Sequence, residues 1–408
     1  MEQSILDTPI AMYGKKANNR ILIQPMEGCD GTADGGVDEL TRRRYLRFAS
    51  AGAGIIWFEA IAVTAEGRAN PRQLFIHENT VDGFRKLLQE VRERSMREFG
   101  FSPLLIAQLT HSGRYSKPNG SPEPIVAYRN SLWEKGKEHF PYTIADDAYC
   151  RTIVQKYETA ARLAVAAGFD GVDVKCCHGY LFNEFLSAVQ RPGDYGGSFE
   201  NRSRLFSECI DAAKRGVADK AFVTTRLNAC DCFDYPYGFG VNENNEIDLA
   251  ETKKLIQMLA DKGLEMINLT IGNPYLIPHI NRPWIGGTEK GEIGMERIRS
   301  VTSELSRAFP NIRFVMSALT YPGVDSVSYA EKMIAESTAA IAGFGRMAFA
   351  YPEFYRDYCE QGALKKNKVC IKCGKCTELM RNATVAGCVV RDSEVYMPYY
   401  EKYVLKKQ

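Results

Sequence analysis

Eight short apolar runs, rich in β-branched residues, alternate along the chain with longer stretches of helical periodicity, and this alternation constrains the fold more than any other feature. The runs cover residues 21–26, 54–60, 103–109, 171–175, 222–227, 266–270, 312–317 and 339–344. Helical patterns fall at 40–51, 81–98, 153–167, 201–217, 248–262, 295–308 and 326–335. Parallel strands need crossovers long enough to hold a helix, so a strand–helix repeat predicts a parallel sheet. Eight repeats is the count of a (β/α)8 TIM barrel, whose active site forms at the C-terminal ends of the strands. The competing doubly wound nucleotide-binding sheet calls for a G-x-G-x-x-G turn after its first strand, and none follows 21–26.

A length of 408 residues is compatible with one large barrel plus an appendage. Hydrophobic residues at 45% and charged residues at 25% describe a globular chain and exclude disorder as its main state. Lys+Arg (52) nearly balances Asp+Glu (50), leaving no global field to attract nucleic acid or an anionic membrane, so neither is expected as a partner. The N-terminus lacks a basic segment followed by an apolar one, and no apolar run reaches 18 residues, which leads us to expect a cytoplasmic protein. Of twelve cysteines, eight scatter while Cys370, Cys373, Cys376 and Cys388 crowd near the end.

Those four carry the strongest local signal. Three thiols within seven residues and a fourth after eleven intervening residues resemble ferredoxin-type ligand runs, so a [4Fe-4S] cluster is expected, with four-cysteine zinc as the competitor. A second signal is the run from Gln108 to Arg114 that leaves the third strand, where a Gln side chain offers both donor and acceptor to an amide-like ring edge. At the fourth strand, Lys175, His178 and Tyr180 place three polar groups where a barrel strand meets its active face; two can polarise a carbonyl and the phenol can deliver a proton. The plainer alternative packs Tyr180 in the core and uses His178 as a helix cap. Arg226 ends the fifth strand, where it serves either an anionic ligand or an inward salt bridge. Gly343-Phe-Gly345-Arg346 follows the eighth, where barrels commonly bind a cofactor phosphate on backbone amides.

Taken in order, these segments resemble the old yellow enzyme family of FMN-dependent oxidoreductases, in its iron–sulfur branch related to 2,4-dienoyl-CoA reductase and trimethylamine dehydrogenase. The resemblance rests on Asn19-Arg20 through Gln24-Pro25-Met26, Arg44-Tyr45, the Gln108 run, 166–173, His178-Gly179-Tyr180-Leu181, 195–202, Arg226 and Gly345-Arg346. It implies an FMN-binding barrel over residues 1–358 and a cluster-binding extension over 359–408, with Cys370, Cys373, Cys376 and Cys388 as ligands. Pro25, Met26, Glu27, Gln108, Arg226, Ala318, Gly345 and Arg346 would surround FMN. Lys175 and His178 would grip a substrate carbonyl, and Tyr180 would protonate the α-carbon as hydride reaches the β-carbon of an activated alkene. A homo-oligomer acting on a small molecule is also implied.

The departures are specific. Lys175 and Glu27 stand where relatives carry His and a small Thr or Cys, and Ser317-Ala318-Leu319 replaces a Gly-Gly phosphate turn. Twenty residues follow Cys388, too few for a dinucleotide domain, so electrons are expected from NAD(P)H docking at the FMN or from a separate ferredoxin or flavoprotein. The favoured expectation is an ene-reductase acting on an unsaturated acid, ketone or thioester. Amine oxidation of the trimethylamine dehydrogenase type is the alternative, with Glu27 holding the cation, and a zinc-bearing scaffold is the non-catalytic one. The long segments 110–148 and 272–294 are expected to wall the pocket.

Overall fold

The computed structural model describes residues 4–134, 141–284 and 287–407. Eight parallel strands close into a barrel in sequential order: β1 (Ile21–Ile23), β2 (Ile55–Ala62), β3 (Leu104–Thr110), β4 (Gly171–Val174), β5 (Phe222–Asn228), β6 (Met266–Thr270), β7 (Arg313–Met316) and β8 (Ile341–Phe344). Every residue of β2 and β3 is buried, as expected for strands whose two faces meet the barrel interior and a layer of helices. That layer comprises α1 (Glu39–Ala49), α2 (Val81–Phe99), α3 (Asp147–Ala167), α4 (Phe199–Val217), α5 (Ala250–Asp261), α6 (Gly291–Ala308) and α7 (Ser326–Ala335). The TIM barrel expected from the strand count is therefore the fold. Helix α3 begins six residues earlier than periodicity suggests because the Asp146 side chain caps it, accepting from Tyr149 N at 2.7 Å.

One end of the barrel is plugged. The hairpin Ile10–Met12/Lys15–Ala17 lies across the N-terminal ends of the strands, packing Ile10 and Met12 with Leu22, Trp57, Ile106 and Val315, while Tyr13 stacks on Phe222 with ring centroids 4.5 Å apart. Among the described residues the C-terminal rim is the open end of the barrel, in keeping with the general placement of sites in this fold.

On that rim the segment after β1 is pinned by a buried ion network. Arg44 of α1, 3% exposed, pairs with both Asp30 and Glu59, and Glu59 also accepts from Gly28 N at 2.8 Å. A Cβ on Gly28 would overlap the Arg44 guanidinium, so only glycine fits there. Deleting one member of such a network strands a buried charge, at a cost of about 3–5 kcal/mol. The network thereby fixes the direction in which Glu27 leaves the strand.

Residues beyond 358 do not hang free of the barrel. Helix α8 (Phe354–Gln361) packs Phe354 and Tyr355 into the barrel core, while α9 (Lys375–Arg381), α10 (Ser393–Tyr403) and the turn between them form a small core of Leu379, Val385, Val389, Tyr396 and Tyr400. The segment is tied to the rim by Ala386 N donating to Gly28 O (2.7 Å), by Arg282 donating to Thr377 Oγ1 (2.6 Å), and by Arg43 and Arg47 pairing with Asp392. Lys365 and Lys368 both reach Asp357 and Lys372 donates to Tyr321 O, so much of the lysine-rich surround forms ties to the chain. No helix among the described residues is long and apolar enough to cross a membrane.

Candidate active site

The open rim holds a cavity enclosing about 1030 Å³ of non-atom space, its mouth included. All eleven catalytic and cofactor positions expected from the sequence line it: Pro25, Met26 and Glu27 after β1, Gln108 on β3, Lys175, His178 and Tyr180 after β4, Arg226 on β5, Ala318 after β7, and Gly345 and Arg346 after β8. Ala318 adopts φ +67°, the left-handed region favouring glycine, so a left-handed turn persists where the family's glycines are absent.

The floor is organised by Asp173, fully buried on β4. Its carboxyl accepts from Trp57 Nε1 of β2 (2.8 Å), Gln108 Nε2 of β3 (2.7 Å) and Arg226 N of β5 (2.8 Å). Burial pushes its pKa up to about 6 against the pull of those three donors, chiefly Gln108. A carboxylate only accepts, so Gln108 turns its amide nitrogen toward Asp173 and keeps Oε1 and its second N–H for the cavity. The Arg226 guanidinium makes no ion pair within the described residues, and its buried Nε has no partner there. Among the described residues the inward salt bridge is therefore not formed, and the guanidinium lines the cavity.

Above this floor sits a polar cluster. Tyr180 Oη donates to Glu27 Oε1 at 3.0 Å and lies 3.1 Å from Tyr275 Oη. Lys175 Nζ is 3.5 Å from the same Glu27 oxygen and 3.6 Å from the centroid of the Tyr180 ring. Burial and then Glu27 push the Tyr180 phenol well above its ordinary pKa, so it keeps its proton. Tyr180 is buried as the plainer reading held, yet its hydroxyl reaches the cavity. His178 follows in a left-handed conformation, φ +65°, with Nε2 3.4 Å from Thr270 Oγ1. Burial first, then the cations Arg226, Lys175 and Arg282, hold its pKa well below the ordinary value, so the imidazole is neutral.

Other expectations need correction. Within the described residues, 110–148 contributes nothing to the cavity lining; Tyr115 stands behind it, stacked on Tyr275 at 3.8 Å, and residues 135–140 lie outside the described structure. His111 and Arg114 are similarly engaged elsewhere, with Tyr149 and Glu184. The segment 272–294 does supply wall, through Pro274, Tyr275, Asn281 and Arg282; its residues 285 and 286 are also outside the described structure. The rest of the wall comes from the C-terminal segment, through Cys376, Thr377, Met380 and Ala386. Sequence reasoning assigned no role to Asp173, Tyr275 or Arg282. A charged residue amid the apolar β4 run was a usable signal for the first, whereas the other two lie in a loop without periodicity.

None of the twelve cysteines forms a disulfide. Among the described residues no group of three or more His, Cys, Asp or Glu side chains is gathered closely enough to hold a single metal ion. The four terminal cysteines nevertheless share one neighbourhood. Burial raises the Cys376 thiol, with Arg346 opposing and Cys370 and Cys373 adding; burial takes Cys388 up to about 11, with Cys370 and Cys376 contributing.

A parallel barrel with an amide, a guanidinium and a glycine–arginine turn converging at its C-terminal rim defines the class of flavin-dependent barrel oxidoreductases. The profile of the NADH:flavin oxidoreductase / NADH oxidase family matches residues 6–362, and the chain belongs to this family, that of the old yellow enzymes, as an FMN-dependent oxidoreductase. An NADPH dehydrogenase of Geobacillus sp. (strain WCH70) is 34% identical over 275 residues, covering 66% of this chain and 74% of that protein. An NADH oxidase of Thermoanaerobacter brockii is 27% identical across 87% of this chain, which spans only 50% of its length. A 2-naphthoyl-CoA reductase in complex with 2-naphthoyl-CoA superposes with a TM-score of 0.77 at 21% identity, covering 95% of this chain and 56% of that one.

The neutral state of His178 has a direct readout. Its imidazole resonances should show no titration between about pH 5.5 and 8, because a depressed pKa leaves the ring uncharged throughout that window. A transition in the NMR spectrum near the ordinary value would contradict the burial argument.

Proposed function

We propose that the protein is an ene-reductase that reduces the carbon–carbon double bond of an α,β-unsaturated acid, ketone or thioester. The observation that carries this reading is the Tyr180 hydroxyl, held by Glu27 and Tyr275 under the Lys175 cation, in the same cavity as Gln108, Arg226 and Arg346. The residues fit FMN: the buried, unpartnered Nε of Arg226 and the free face of Gln108 suit the polar edge of an isoalloxazine, and Gly345 with Arg346 suits the phosphate. When bound, FMN supplies hydride chemistry.

The chain's own residues do the rest. Lys175 and neutral His178 donate toward the substrate's carbonyl oxygen, polarising it and stabilising negative charge that develops there. Tyr180, kept protonated by its environment, gives its proton to the substrate α-carbon. The Lys175 ammonium over its ring stabilises the phenolate that remains. Lys175 also supplies the cation facing Glu27, which favours carbonyl reduction over binding of a substrate amine at that carboxyl. NADH or NADPH is the proposed reductant, as the names of the dehydrogenase relatives suggest.

Cys370, Cys373, Cys376 and Cys388 are proposed to hold a [4Fe-4S] cluster. Backbone N–H groups of Lys372 and Arg391 already point at Cys370 Sγ (3.4 Å) and Cys388 Sγ (3.3 Å), the kind of donor that stabilises cluster sulfurs. Cys376 lines the cavity, so such a cluster would relay electrons between it and a ferredoxin or flavoprotein partner.

Tyr180→Phe should leave reduction of the bound flavin by NAD(P)H within about twofold while slowing its reoxidation by an enoate or enone at least about 100-fold, the scale of a lost general acid. Equal reoxidation rates in anaerobic stopped-flow would remove Tyr180 from the mechanism. Anaerobically purified protein should contain about four iron and four sulfide per FMN, falling sharply in Cys376→Ala; zinc in place of iron would reject the relay.

A further inference from the structure

The cavity carries more positive charge than a flavin site uses. Among the described residues, Glu27 is the one carboxyl that lines it, facing four cationic side chains: Lys175, Arg226, Arg282 and Arg346. Lys175 pairs with Glu27 and is assigned above, with His178, to the substrate carbonyl, while Arg226 and Arg346 are assigned to the flavin's polar edge and phosphate. Arg282 is left over.

It is also held in a way that suits ligand binding. Its guanidinium donates to Thr377 Oγ1 at 2.6 Å and to Pro274 O at 3.2 Å, both neutral, and its buried Nε has no partner among the described residues. Neighbouring Asn281 likewise buries an unpartnered Oδ1. Burial first, then Arg346 and, less strongly, Arg381, pull the Arg282 pKa down to about 10, with the Cys376 thiol opposing them, so the cation sits where water is scarce and two other cations are near. An anion there would relieve both penalties. Arg282 belongs to the segment that carries Tyr275, whose hydroxyl lies 3.1 Å from that of Tyr180, and Thr377 to the C-terminal wall, so the guanidinium links these two parts of the cavity lining.

We propose that Arg282 is an anchor for a carboxylate on the substrate, separate from the Lys175/His178 pair, so that the enzyme's substrates are unsaturated carbonyl compounds bearing a carboxylate. This rests on the ene-reductase reading and narrows it. A planar guanidinium already fixed through two donors presents its remaining N–H groups to a carboxylate with little loss of side-chain freedom. A neutral ester or amide leaves that cation unpaired and is disfavoured.

The test uses the FMN-loaded enzyme and matched probes, benzoate and benzamide, titrated against the flavin absorption spectrum, so that it reads binding and not turnover. Wild type should bind benzoate more tightly than benzamide. Arg282→Met should weaken benzoate by roughly 30-fold, the scale of one charge-assisted pair, and leave benzamide within about twofold. Arg282→Lys should restore part of the loss. Wild-type protein that does not prefer benzoate, or an Arg282→Met variant that binds it unchanged, overturns the proposal. A fall in FMN affinity relative to riboflavin in that variant also overturns it, since it would assign Arg282 to the phosphate. None of these outcomes touches the Tyr180 test, so failure of the anchor and failure of the ene-reductase reading are distinguishable.

Discussion

Asp173 is the interaction on which the site depends. A carboxyl sealed within the barrel, receiving hydrogen bonds from β2, β3 and β5, ties its own strand to three others and forces the Gln108 amide into one orientation. It simultaneously fixes the backbone from which Arg226 rises. Burying it is costly, as its raised pKa records: the carboxyl binds a proton more tightly folded than unfolded, so its contribution to stability falls as pH rises from about 4 to about 6. The barrel accepts that cost at a position that orients two groups facing the cavity, the common location for strain and buried charge in a folded protein.

A second constraint gives the cavity its roof. The chain beyond the barrel returns across the rim, where Gly28, Arg282 and the Arg43/Arg47 pair receive it, and it contributes Cys376, Thr377 and Met380 to the wall. The site is therefore assembled from both ends of the sequence, Glu27 near one and Met380 near the other. Because Cys376 borders the cavity, any group held by the four cysteines would stand beside it, and the Arg44 network beneath Gly28 holds both the Glu27 turn and the surface on which the C-terminal segment rests.

Much of this was legible in the sequence because its causes are local. Strand–helix alternation read out the barrel since both faces of each parallel strand are buried, and the eleven positions implied by the family resemblance line one cavity because each lies near a strand end or in the turn after it. What was not legible depends on where distant loops meet. The run 110–148 had the composition of a pocket wall, yet Tyr115 packs behind Tyr275 and the C-terminal segment takes its place. For Glu27 the sequence left two directions open, toward Lys175 or toward a substrate amine, and only the fold, which brings Lys175 from 148 residues away to 3.5 Å, decides between them. Arg282 lies in a loop without periodicity, and its hydrogen bonds among the described residues go to the neutral acceptors Thr377 Oγ1 and Pro274 O.

The central claim is that a buried carboxylate presets Gln108 and Arg226 for FMN. Titration of apo-protein with FMN, followed by flavin fluorescence, measures it directly in wild type and in Asp173→Asn. An Asn oxygen cannot satisfy all three donors, and leaving one unpaired costs about 1–3 kcal/mol, so FMN should bind wild type at one per chain and the variant about tenfold or more weakly. Equal affinity in the two proteins, with the variant folded, would contradict the account.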